Sequence, residues 1–211
     1  MHYYCLDCDE SLGNQYSNHA RFMRCVQTEY TMEGAPFHLM EHIGEDYLGR
    51  FKDESTLANA ICRRLSPHFI IEREVAGVHE PTGKRLRIDA IATPRDTTGW
   101  PERNSFGIEF KGNDVSPTEW GKHVAQALDY TVTEWEGYGR IPIMTCPSAF
   151  ANLSKPSGWD IPRYFGGMGV GEIKCEKNQG LIIRKSDTRI WSETYGVSRV
   201  GIKMHIPVGS R

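Results

Sequence analysis

Phe106–Asp114 reads FGIEFKGND, and the reading of this stretch decides the fold. A short apolar run, closed by Gly112, carries Glu109 and Lys111 two positions apart. On a strand, side chains at i and i+2 point to one face. Glu109 and Lys111 therefore lie side by side, while Ile108 and Phe110 face the other way. Two charges on one strand face either form a surface pair, which contributes little, or bind something. The stretch alone leaves both readings open.

Working outward, the flanks supply the elements of an α/β domain. Upstream, Leu57, Ile61 and Leu65 recur every four residues from Asp53 onward, and Pro67 stops the helix they predict. HFIIEREVAG predicts a strand, HEPTGK a turn, and RLRIDAIATP a second strand with Leu86, Ile88, Ala90 and Ala92 alternating against Arg87, Asp89 and Ile91. FGIEFKG is the third strand. Downstream, Ser116 and Glu119 fit a capping box and Pro117 suits a first helical position. Trp120, Val124, Leu128, Val132 and Trp135 form the apolar stripe of a second helix. RIPIMTCPSA predicts another strand, the Gly- and Pro-rich segment after it a loop, GLIIRKSDTRIWSE a hairpin and RVGIKMHIPV a last strand. The expected fold is a mixed central sheet flanked by helices.

Composition bounds the rest. The chain has 211 residues, 39% hydrophobic and 25% charged, which suits one globular domain with a small appendage. No apolar run reaches the ~18–20 residues that span a bilayer, and MHYYCLDCDE is polar and acidic rather than a signal sequence. Six scattered cysteines suit a reducing cytoplasm better than a disulfide scaffold. The net charge of −2 does not announce a nucleic-acid binder, but Glu172–Arg211 holds eight basic and four acidic residues. Such a segment either follows a phosphate backbone or is an unevenly charged surface.

Asp89 lies inside an apolar strand, twenty residues before Glu109. Two carboxylates and a lysine on neighbouring strands suit Mg2+ or Mn2+, which keep several waters and bridge to phosphate. Asp89 followed by Glu109-Phe110-Lys111, in this order of elements, resembles the PD-(D/E)XK nucleases over about residues 50–150. That family often places a Glu on its first core helix, the position of Glu54 here. Its RecB-type branch adds Gln-x-x-x-Tyr on the helix after the lysine, matched by Gln126 and Tyr130. No proline precedes Asp89, and the four-cysteine iron–sulfur pattern of some relatives is missing.

The resemblance implies a restriction-endonuclease-like core and a Mg2+-dependent DNA nuclease, with catalytic residues Glu54, Asp89, Glu109, Lys111, Gln126 and Tyr130. Asp89 and Glu109 would hold Mg2+ or Mn2+. Glu72 and Glu74 are weaker auxiliary ligands, and His123 shares a helix face with Gln126 and Tyr130. No base-reading motif is visible, so structure or end selectivity is expected. The alternative is an inactive nuclease-like fold that binds nucleic acid or a protein.

The start of the chain has its own character. Cys5 and Cys8 form a Cys-x-x-Cys pair, followed by His19 and Cys25. The pattern resembles a zinc finger whose ligands are two cysteines, a histidine and a third cysteine, and zinc can fold a segment too small for its own core. His38 and His42 are alternative ligands or ordinary helix surface. The expected organisation is a zinc module over residues 1–30, able to grip DNA or dock a protein, and a nuclease-like domain over 31–211.

Overall fold

The computed structural model describes residues 47–51, 53–102, 104–112, 117–148, 165–176, 180–186, 188–193 and 195–197, and the backbone of four strands before them. Those four, β1 (His2–Cys5), β2 (Glu10–Gly13), β3 (Thr28–Met32) and β4 (Ala35–Leu39), form an antiparallel sheet in the order β2-β1-β3-β4. The sequence does not predict them, because none alternates cleanly between apolar and polar. Cys5 ends β1, while Cys8, His19 and Cys25 lie outside the described residues, as does His42. His38 falls in β4, so the expectation of a helical His pair is corrected.

The first helix, α1 (Glu54–Leu65), starts where Asp53 accepts the Thr56 N–H at 2.7 Å, a side-chain cap for an orphan helix donor. It buries Leu57, Ala58, Ile61 and Leu65, the stripe expected from the four-residue spacing. Three strands follow: β5 (Phe69–His79), β6 (Lys84–Pro94) and β7 (Phe106–Phe110). The second helix, α2 (Pro117–Thr131), leads to β8 (Thr133–Trp135) and β9 (Ile143–Cys146). The rest is β10 (Val170–Glu176), β11 (Gly180–Lys185), β12 (Thr188–Ser192) and β13 (Gly196–Val197).

All nine form one mixed sheet in the order β13-β12-β11-β10-β9-β7-β6-β5-β8. β7, β9 and β10 run parallel, with α2 in the crossover from β7 to β9. A parallel pair needs such a crossover. The helices serve opposite faces. Leu57, Ile61 and Leu65 of α1 pack in one core with Phe106, Ile108, Phe110, Met144 and Ile173. Val124 and Ala127 of α2 pack in a second with Ile88, Ile91, Ile143 and Val170. Gly107 belongs to the α2 face, where an added Cβ would collide with Ile88 Cδ1 and Ile143 Cδ1.

The α/β expectation holds at this level, with local corrections. Trp135 is not on the second helix: it sits in β8, its ring N–H donating to the Tyr130 carbonyl. The buried face of α2 is not centred on Leu128. It runs through His123, Val124, Ala127 and Tyr130, spaced for one helix face but partly polar. β10 is a strand where no element was assigned. The alternation along β6 also breaks: Leu86 and Ile88 join the α2-side core, Ala90 and Ala92 the α1-side core. The switch falls at Asp89. There the β5–β6 pairing skips one position, and Glu74 opposite it takes a φ of 58°. No helix among the described residues is long and apolar enough to cross a membrane.

Candidate active site

Asp89 stands where β6 parts from both neighbours. The β6–β7 ladder ends at Ala90 opposite Ile108, and the next step would set Asp89 opposite Glu109. There the Asp89 carboxylate accepts the Phe110 N–H at 2.7 Å, while the Asp89 carbonyl accepts from Arg73 Nε at 3.1 Å. A carboxylate replaces the backbone partner, so the strand can open without an orphaned donor.

Glu109 lies on the α2 face, next to Gly107 in the strand pattern, and its side chain is 2% exposed. Lys111 Nζ donates to Glu109 Oε1 at 3.2 Å and to Glu54 Oε2 at 3.2 Å. Lys111 is thus a bridge from the sheet to the first turn of α1. Glu54 is largely solvent-facing rather than on the inward stripe, but its carboxylate reaches the site. Four of the six expected catalytic residues, Glu54, Asp89, Glu109 and Lys111, converge.

The electrostatics follow from burial and like charge. Burial, and then the Asp89 carboxylate beside it, push the Glu109 carboxyl up to about 8. Burial also raises Asp89, against the opposing Phe110 hydrogen bond. Burial works to lower Lys111, but Glu109 and Glu54 outweigh it and raise it on balance, so the ammonium stays charged at neutral pH. Glu109 Oε2 is fully buried with no hydrogen-bond partner among the described residues. That orphaned oxygen, beside a second carboxylate, fits a hard divalent cation. No group of three or more His, Cys, Asp or Glu side chains among the described residues could hold a metal by itself. Two carboxylates nonetheless suffice for Mg2+, which completes its shell with water and substrate.

Gln126 and Tyr130 act one layer further out. Gln126 Nε2 donates to Tyr130 Oη at 2.7 Å, and Tyr130 Oη donates to the Arg87 carbonyl at 2.9 Å. The pair ties α2 to β6 two residues before Asp89. Burial, then the Glu109 charge, raise the Tyr130 hydroxyl to about 12, so it remains a donor. His123 is buried against the Glu109 backbone, and burial with the Lys111 charge holds it down to about 4. It is a buried, neutral group at neutral pH. Glu74 pairs with Arg87 at 2.7 Å, and Glu72 hydrogen-bonds Tyr138; neither joins the cluster.

The sheet also lines up residues that the sequence reading missed. Glu109 pairs in register with Thr145, Thr145 with Glu172, and Glu172 with Arg184. Glu172 is buried, accepts a short hydrogen bond from Ser148 Oγ and pairs with Lys174 at 2.8 Å. The signal for it was in the sequence, since Glu172-Ile173-Lys174 repeats the spacing of Glu109-Phe110-Lys111.

Comparison with known proteins adds little. No family model and no solved structure matches the chain. An indolin-2-one monooxygenase of Zea mays is 24% identical over 193 residues, covering 81% of this chain and 33% of that protein. The chain therefore spans about a third of the length of this curated relative. Identity at that level assigns neither family nor activity.

Proposed function

We propose that this chain is a Mg2+- or Mn2+-dependent deoxyribonuclease on a restriction-endonuclease-like core, hydrolysing phosphodiester bonds with structure or end selectivity. One observation carries the reading. Asp89 and Glu109 meet at the point where β6 and β7 part, with Lys111 bridging Glu109 to Glu54.

Asp89 and Glu109 would hold the metal, which when bound supplies Lewis-acid polarisation of the phosphate and acidification of water. Lys111 is a compact charge with three donors. Two of its donors face Glu109 and Glu54, and the third can orient an attacking water and stabilise charge developing at phosphorus. The water oxygen bonds to phosphorus and gives a proton to solvent as the bond to the leaving ester oxygen breaks, and that oxygen takes up a proton from solvent. Gln126 and Tyr130 are positioning residues that brace the strand carrying Asp89.

The test is cleavage of plasmid, linear and single-stranded DNA with Mg2+, Mn2+ or chelator. Metal-dependent cleavage that Lys111→Ala abolishes, with the fold and most DNA binding kept, supports the reading. Unchanged turnover in that variant overturns the role of Lys111.

The second reading is an inactive nuclease-like fold that binds nucleic acid or a protein. The double pairing of Lys111 with Glu109 and Glu54 favours it, since such a bridge also suits a purely structural tie between sheet and helix. Metal-independent DNA binding without cleavage of any of the three substrates would select it.

A further inference from the structure

Glu172 and Lys174 on β10 repeat the spacing of Glu109 on β7 and Lys111 just past its end, and the two glutamates stand in one register row. Glu109 and Glu172 flank Thr145 of β9 in one row, and the three strands run parallel. Each lysine is two residues further along the chain, Lys174 within β10 and Lys111 one residue past β7, so both lie toward the carboxyl-terminal edge of these parallel strands. Crevices beyond that edge are where open α/β sheets take their ligands.

The two pairs differ in what they leave available. Glu109 keeps one buried oxygen without a hydrogen-bond partner among the described residues. Glu172 has both oxygens engaged, Oε2 by Ser148 Oγ and Oε1 by Lys174 Nζ. Glu172 thus leaves neither oxygen without a partner and serves as a buried holder for the Lys174 head. Its side chain is 3% exposed and that of Lys174 34%. Burying a carboxylate to fix one half-exposed ammonium is costly, and a plain surface ion pair would not require it.

Two strand spacings separate the glutamates, roughly 10 Å at ~4.8 Å per strand. That is too far for a two-metal centre, whose ions stand ~3.5–4 Å apart. It suits a nearby phosphate on the same strand, since the backbone winds about the axis and spaces its phosphates wider than the ~3.4 Å axial rise per nucleotide. Resting on the nuclease reading above, we propose that Lys174, held by Glu172 and Ser148, binds a substrate phosphate about one or two nucleotides from the one facing Lys111. The pair of lysines then sets the register of the strand across β7, β9 and β10. Arg184, opposite Glu172 on β11, is paired with Glu176 at 3.5 Å.

The experiment measures binding of labelled single-stranded and duplex oligonucleotides to the full chain, without divalent metal, across a salt series. Lys174→Gln should weaken binding about three- to tenfold and lower the slope of log Kd against log salt by ~0.7–0.9, the loss of one phosphate contact. Lys174→Arg should restore the slope, and Lys84→Gln, an exposed charge on β6, should not change it. At saturating DNA, Lys174→Gln should retain far more turnover than Lys111→Ala. If glutamine disturbs the fold, judged by thermal melting, Lys174→Met carries the same comparison. Unchanged affinity and slope in a wild-type background that cuts DNA overturns this proposal and leaves the nuclease reading standing. Absence of DNA binding by the wild type, together with no cleavage in Mg2+ or Mn2+, overturns both.

Discussion

Glu109 is the residue on which the proposed chemistry and the pH dependence of stability both turn. Its carboxyl is buried beside Asp89 and is raised from 4.5 to about 8. The unfolded chain releases this proton above pH 4.5, whereas the folded protein keeps it until about pH 8. The folded state thus binds more protons across that window, and stability falls as pH rises through it. Glu109→Gln removes the titration but keeps the shape. Without divalent metal, the variant should be more stable than wild type at about pH 8, and the advantage should shrink to nothing near pH 4.5. His123, held down to about 4, gives the opposite slope below pH 6.5 in both proteins and cancels in the comparison. Denaturant melts of the two proteins at several pH values check this. An equal gap at every pH would remove Glu109 as the titrating group.

At the scale of elements, α2 is the part whose role changes most between sequence and structure. Its buried face includes His123 and Tyr130, which a search for apolar periodicity passes over. They face inward because the site lies beneath them. Tyr130 joins Gln126 to the Arg87 carbonyl and so fixes the strand that carries Asp89. Tyr130→Phe deletes both hydrogen bonds while keeping the ring against Trp135. It should cost about 1–2 kcal/mol and lower turnover more than it raises KM, because Asp89 loses its brace. Thermal melting beside steady-state cleavage tests it; a stability loss with full turnover would make the motif purely structural. The α1 stripe and β7 were legible because one periodicity and one burial pattern dominate each. The face switch at Asp89 was not, because it depends on Glu74 leaving the ladder at a φ of 58°, a property of strand pairing rather than of local composition. β10 was hidden by the Gly- and Pro-rich stretch before it. Asp89, Glu109 and Lys111 were legible because charges inside apolar strands are costly without a partner.

At the scale of the whole molecule, two metals are at issue. Cys5, Cys8, His19 and Cys25 should hold one zinc per chain, read by elemental analysis of protein prepared without chelator. Loss of that zinc in Cys5→Ser and Cys8→Ser supports the assignment, and its absence from wild type ends it. The proposed Mg2+ site would couple to global stability in a different way. Its ligands repel when both are ionised, and the folded protein answers by retaining a proton. A cation that takes the place of that proton binds only the folded arrangement, since the unfolded chain does not bring Asp89 and Glu109 together. At about a hundredfold above its Kd such a ligand stabilises by ~2.7 kcal/mol, which at this chain length is roughly 5–10 °C in Tm. Asp89→Asn keeps an oxygen for the Phe110 N–H but supplies one carboxylate fewer to the metal. It should be no less stable than wild type without metal, should show little Mn2+-dependent rise in Tm, and should not cut DNA. Thermal melts with and without Mn2+, run beside the cleavage assay, decide the matter. An Asp89→Asn protein that cut at the wild-type rate, or gained the full shift, would return Glu109 and Lys111 to the status of an ordinary ion pair.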